Sequence, residues 1–254
     1  MIVGILGCGA IASIIVNNFL SEDSGIEIKY FYDHDMEKAE NLATIAHGVA
    51  VLNIDDMIDK VDLVLEAASP FSVEKFANRI LNKSKSIMIM SIGALMDEKI
   101  RNQMIEIATI NNAKIFAPSG AIVGLDGIKA ASIDKINKVT LTTRKQPKSI
   151  GKATDKEVIL FEGKASEAVK KFPVNINVAA ALSIACNMDV EVKIIVDPKV
   201  NKNIHEIIVE GEFGKFKTRT ENLSCEMNPK TSMLAVYSAI KLLKSLNENF
   251  IMGT

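Results

Sequence analysis

The chain has 254 residues, enough to bury a substantial core as one large α/β domain or, as favoured here, as a nucleotide-binding domain with a smaller companion. A formal net charge of −1 gives no field for nucleic acid or an anionic membrane, so neither is expected as a partner and a small molecule is. Three scattered cysteines, Cys8, Cys186 and Cys225, have no C-x-x-C spacing; they read as free thiols in a reducing, cytoplasmic compartment, with no metal site.

In chain order, residues 2–6 form a short β-branched run with no basic leader-like segment before it, and residues 10–20 repeat apolar positions at helical spacing, so strand, tight turn and helix follow one another. Residues 26–32 make a second strand ending in Asp33, and 36–47 a surface helix. "VDLVLEAAS" over 61–69 reads as a buried strand stopped by Pro70, with helical periodicity over 73–81. "SIMIMSIGAL" gives a strand ending at Gly93, 97–111 a helix, and "KIFAPSG" a fifth strand. This alternation predicts a doubly wound parallel sheet over 1–118.

Beyond Gly120 the texture changes. "KINKVTLTTRKQP", "EVKIIVDPKV" and "NIHEIIVEGEFGKFKTRTENL" are longer strand-like segments with glycine turns, an open antiparallel or mixed sheet over 119–228. Residues 145–156, lysine-rich with Pro147 and Gly151, read as a mobile loop. The apolar stretch 178–186 is too short to span a bilayer. "NPKTSMLAVYSAIKLLKSLNENF" predicts an amphipathic helix over 231–246, opened by a polar cap and Pro229.

Chemistry concentrates in a few places. Gly7-Cys8-Gly9-Ala10-Ile11-Ala12 matches G-x-G-x-x-A between a strand and a helix: a turn glycine, a glycine that lets backbone approach a pyrophosphate, and a small residue for close helix packing. Asp33, 21 residues beyond Ala12, stands where a carboxylate accepts both ribose hydroxyls; it favours NAD, although a cation offsetting the charge would admit NADP. Ala67 and Ala68, at the end of the third predicted strand, complete the cofactor set. The bland alternatives are a glycine turn that only packs strand on helix, and an Asp33 that merely opens a turn.

His205, one of three histidines, enters a strand from a polar segment, whereas His34 and His47 fall on surface-like parts of the first domain. Taken alone, its default reading is a solvated or core-satisfied histidine. Ser119 at a strand end, the amides Asn175 and Asn177, and Lys230, Thr231 and Ser232 before the last helix are candidates for substrate or cofactor contacts. The four arginines, Arg79, Arg101, Arg144 and Arg219, leave few candidates for a bidentate carboxylate clamp.

Together "PSGAIVGLDG", "FPVNINVAA", "DPKVNKNIHEI" and "NPKTSMLA" resemble the L-aspartate dehydrogenase family over almost the whole chain. The resemblance implies a Rossmann domain over 1–118, followed by an α/β domain over 119–228 whose open sheet serves a homodimer, with the C-terminal helix over 229–250 returning to the first domain. It places the active-site histidine on His205 and cofactor contacts on Ala121 and Asn177, and it leaves Ser119, Asn175, Lys230, Thr231 and Ser232 for the substrate. It implies oxidation of L-aspartate to iminoaspartate, which hydrolyses to oxaloacetate and ammonia or feeds pyridine nucleotide synthesis. Hydride loss requires a neutral amine, so a base titrating near neutrality is wanted, and a histidine suits. The alternatives are a reductase of the homoserine dehydrogenase or dihydrodipicolinate reductase type, and a non-catalytic NAD-binding redox sensor.

Overall fold

A computed structural model describes residues 1–20, 24–147, 154–172, 176–250 and 252–253. The chain divides into two compact units, one of Met1–Pro118 with Ala239–Phe250 and one of Ser119–Ser238 with Ile251–Thr254.

The first unit runs β1 (Ile2–Leu6), α1 (Ala10–Phe19), β2 (Glu27–Tyr32), α2 (Met36–Ile45), β3 (Val49–Ala50), α3 (Ile54–Ile58), β4 (Leu63–Glu66), α4 (Pro70–Asn82), β5 (Ser86–Ile89), a 3₁₀ turn (Ile92–Met96), α5 (Glu98–Ile110) and β6 (Ile115–Phe116). The six strands lie in the order β3-β2-β1-β4-β5-β6, and every pairing is parallel. This is a Rossmann-type sheet. Its central strands are near-continuous apolar runs because helices cover both faces: Val3, Ile5, Leu63, Leu65, Ile87 and Met88 are almost fully buried. The helices start where sequence chemistry allows. Ser69 accepts from the Ser72 N–H ahead of Pro70 in the first turn of α4, and Asp97 accepts from the Lys99 and Ile100 N–H groups of α5. One strand was not expected. β3 has two residues and no hydrophobic run of its own, and only pairing with β2 defines it, so "KIFAPSG" supplies the sixth strand.

The second unit contains α6 (Leu125–Ala131), β7 (Ile136–Lys145), β8 (Val158–Lys164), α7 (Ala165–Lys171), α8 (Asn177–Cys186), β9 (Glu191–Val196), β10 (Asn203–Gly211), β11 (Gly214–Asn222), β12 (Ser224–Cys225), β13 (Asn228–Ser232) and the start of α9 (Met233–Ser245). Its main sheet has the order β11-β10-β7-β9-β8. It is mixed: β7 and β9 are parallel, and the remaining pairs are antiparallel. Alternation gives the sheet two faces. Val139, Leu141 and Thr143 of β7, Val192 and Ile194 of β9, and His205, Ile207 and Val209 of β10 are buried. The opposite face carries ion pairs such as Arg219–Glu206 at 2.6 Å and Lys215–Glu210 at 2.6 Å.

Two expectations change here. The predicted helix over 231–246 begins at Met233, because Thr231 and Ser232 extend as β13 and pair with β12; the polar cap signal belongs to a hairpin strand. Of the predicted loop over 145–156, Lys145 is the last residue of β7, and 148–153 lie outside the described residues. Among the described residues no helix is long and apolar enough to cross a membrane.

Candidate functional site

In the first unit the predicted cofactor residues surround the carboxyl end of β1. Gly7 has φ +96°, and a Cβ there would lie 2.6 Å from the Ala68 Cβ, so the turn between β1 and α1 needs glycine on both conformational and steric grounds. Gly9 is different: a Cβ built on it meets nothing within 4 Å. Gly9 is the N-cap of α1, without a side-chain cap or an acidic residue in the first turn, which leaves the first N–H groups of Ala10, Ile11 and Ala12 to an anion from outside the helix. Ala12 is buried against the sheet. Open space at Gly9 and uncapped N–H groups fit a dinucleotide's pyrophosphate.

Asp33 closes the turn from the other side. Its carboxylate accepts from the Cys8 N–H at 2.7 Å and the Asp35 N–H at 2.9 Å, and the His34 Nδ1 lies 2.8 Å away. Each carboxylate oxygen has capacity beyond one such bond, so a ribose contact is chemically compatible with this framework. Burial, then the Asp33 charge, pushes the Cys8 thiol up to about 12, which makes it a packing group and no nucleophile.

Glu66 was not singled out by sequence reasoning. It ends β4 fully buried, and its carboxylate accepts from the Ala68 N–H at 2.8 Å, the Ser91 N–H at 3.0 Å and the Ser91 hydroxyl at 2.8 Å. It ties the Ala67–Ala68 loop to the end of β5. Burial raises its pKa against the opposing pull of these bonds.

In the second unit His205 lies on the buried face of β10, 7% exposed, opposite Thr143 of β7 and Thr220 of β11. Its Nδ1 is 2.9 Å from the Thr143 hydroxyl. Burial, reinforced by the charge of Lys145, lowers its pKa from 6.5 to about 3, so the imidazole is neutral at physiological pH. This departs from the expectation of a base titrating near neutrality. The cause is its place on an inward-facing sheet position, which composition does not reveal.

Beside it, the Thr220 hydroxyl and the Asn222 amide both donate to the Ala121 carbonyl, at 3.2 and 2.8 Å, and the Gly120 N–H donates to the Ser238 hydroxyl at 3.0 Å. The "SGA" turn, with Ser119 half-buried at its start, is thereby fixed to the strand paired with His205. Thr143, Lys145, Thr220 and Asn222 were not anticipated. Their signal is a polar residue at an inward position of an alternating strand, which acquires meaning once the sheet order is known.

The remaining predicted residues are more dispersed. Asn177 is the exposed first residue of α8. Asn175 lies outside the described residues, as does the side chain of Lys230. Thr231 is half-buried, and the Ser232 hydroxyl is buried without a hydrogen-bond partner. A cavity of about 580 Å³ lined by Thr140, Thr142, Glu162, Lys164, Glu191 and Lys193, among others, includes none of the predicted residues, and its Lys193 is paired with Glu162 at 3.1 Å.

Comparison with known proteins completes the picture. A family model described as "Aspartate dehydrogenase, C-terminal" matches residues 126–246, and one described as "Homoserine dehydrogenase, NAD binding domain" matches residues 7–118. The L-aspartate dehydrogenase of Methanothermobacter thermautotrophicus is 56% identical, over 100% of this chain and 99% of that protein. That of a Methanococcus maripaludis strain is 41% identical, over 99% of each. The crystal structure of aspartate dehydrogenase from Thermotoga maritima superposes with a TM-score of 0.82 at 31% identity, covering 100% of this chain and 99% of that one. A dihydrodipicolinate reductase from Paenisporosarcina, with a TM-score of 0.55 at 14% identity and coverage of 98% and 96%, shares the fold alone.

Proposed function

The chain belongs to the L-aspartate dehydrogenase family, and on that premise we propose that it oxidises L-aspartate to iminoaspartate, using NAD in preference to NADP. The imine hydrolyses to oxaloacetate and ammonia or supplies pyridine nucleotide synthesis. The observation that carries the reading is His205, a neutral imidazole at an inward sheet position held by Thr143, in a chain 56% identical to an L-aspartate dehydrogenase along its whole length.

In this reading 1–118 with the C-terminal helix is the dinucleotide-binding domain, and 119–228 binds substrate. Gly7, Gly9 and the first turn of α1 would hold the pyrophosphate and Asp33 the ribose, and Ala67, Ala68, Ala121 and Asn177 are assigned to the cofactor as well. When bound, the nicotinamide supplies the acceptor for a hydride from the substrate α-carbon. With Nδ1–H donating to the Thr143 hydroxyl, His205 presents an Nε2 lone pair, the form that takes a proton from the substrate ammonium. That proton transfer to Nε2 frees the amine lone pair that the C=N bond requires. Ser119, Asn175, Thr231 and Ser232, with Lys230, are assigned to the substrate.

The reading extends to a homodimer built on the open sheet face and to the cytoplasm, which three free, buried thiols support. Initial rates of the purified protein with each amino acid and both cofactors test the proposal: turnover should be greatest with L-aspartate. Silence with L-aspartate, together with tight NAD binding, would favour a redox sensor.

A further inference from the structure

A dicarboxylate substrate needs cationic partners, and among the described residues every arginine is already engaged. Arg79 pairs with Asp55, and Arg101 donates to the Leu95 carbonyl at 2.7 Å. Arg144 is held by Glu157 and Asp197 at 2.6 and 3.0 Å, and Arg219 by Glu206 and Glu221 at 2.6 and 2.8 Å.

Lys145 stands apart. It lies two residues beyond Thr143 on β7, hence on the same face as His205, about 6–7 Å further along the strand. Its charge acts directly on His205. Burial alone lowers its own pKa, with no carboxylate pulling the other way. No ion pair or hydrogen bond engages its ammonium among the described residues. A desolvated cation without a counter-charge is costly, and a bound anion offsets that cost.

We propose that Lys145 is the cation that binds a carboxylate of the substrate beside His205. The proposal rests on the reading of L-aspartate as substrate. With the amine at His205, one substrate molecule spans the two rows of β7 and lays a carboxylate on a lysine able to reach back towards it. The contact would also place substrate negative charge next to the imidazole that must hold a proton during the reaction.

The test compares wild type with Lys145→Met, Lys145→Gln and Lys145→Arg. Loss of a charged hydrogen bond should raise KM for L-aspartate about ten- to hundredfold in the two neutral variants, with NADH Kd unchanged; Lys145→Arg should recover part of it. If Lys145→Met fails to fold, Lys145→Gln decides on the same readout. Equal losses on L-aspartate and L-asparagine put the α-carboxylate on Lys145, and a selective loss on L-aspartate puts the β-carboxylate there. An unchanged KM, or a kcat that collapses at unchanged KM, overturns the proposal. Wild type inactive on L-aspartate would remove the substrate reading instead; succinate binding by calorimetry then judges Lys145, weakened binding in Lys145→Gln supporting it and no binding or equal binding refuting it.

Discussion

The glycine turn of the first unit and the histidine cluster of the second are built by different means. Around Gly7 and Gly9 the chain offers a ligand backbone N–H donors and empty space, supplied by residues adjacent in sequence, with Asp33 25 positions from Cys8 as the distant partner. Around His205 they are side chains from neighbouring strands, and the Thr143 bond joins residues 62 positions apart. A site made of backbone tolerates little change at its glycines. A site made of side chains depends on each inward position of the sheet.

The sharpest break of that comparison is His205→Ala. A positioned base contributes ~10²–10⁴ to rate, so kcat for L-aspartate should fall by that factor while NADH titration is unchanged, because the turn at Gly9 lies on the other unit. Near-normal kcat would remove the histidine from the chemistry.

Within the glycine turn, two substitutions should part company. Gly7→Ala forces a Cβ to 2.6 Å from Ala68 at φ +96° and should destabilise the first unit by roughly 2–4 kcal/mol, read as a lower Tm. Gly9→Val meets no protein atom at its Cβ and should leave Tm alone, yet raise NADH Kd about tenfold, near 1.4 kcal/mol. Equal behaviour of the two would mean that Gly9 serves packing and not a ligand.

Asp33→Ser should shift the NADP to NAD ratio of kcat/KM upward by about tenfold. It should also lower Tm modestly, since the Cys8 and Asp35 N–H groups lose an acceptor. A ratio that does not move assigns ribose selection elsewhere.

The remaining effect is on acid stability. His205 binds a proton less readily in the folded chain, at about 3 against 6.5, so the unfolded state takes up more protons in that window and stability falls as pH drops from 6.5 towards 3. Part of the Tm loss between neutral and acidic buffer should therefore vanish in His205→Asn. The same acid sensitivity in both proteins would show that other groups carry it.

The same contrast explains what was legible in the sequence. The first unit could be read because its strands are continuous apolar runs and its turn is a local glycine pattern; the two-residue β3 and the five-residue α3 escaped, and the strand expected to end at Gly93 stops at Ile89, before the 3₁₀ turn. In the second unit the strands of β7, β9, β10 and β11 stood out, but the pairing order did not, and without β10 between β7 and β11 nothing brings Thr143 or Thr220 to His205. The helix expected over 231–246 started late because Thr231 and Ser232 look like caps and are held as a strand by Ser224 across the hairpin. The role of His205 came from resemblance; its depressed pKa came from burial that only the sheet defines.

The central claim is that this chain takes hydride from the α-carbon of L-aspartate, and the most direct measurement follows that hydrogen. Wild-type protein incubated with NAD and L-aspartate deuterated at the α-carbon should yield reduced cofactor carrying the deuterium by mass spectrometry. Reduced cofactor of ordinary mass, or none formed at all, would contradict the account.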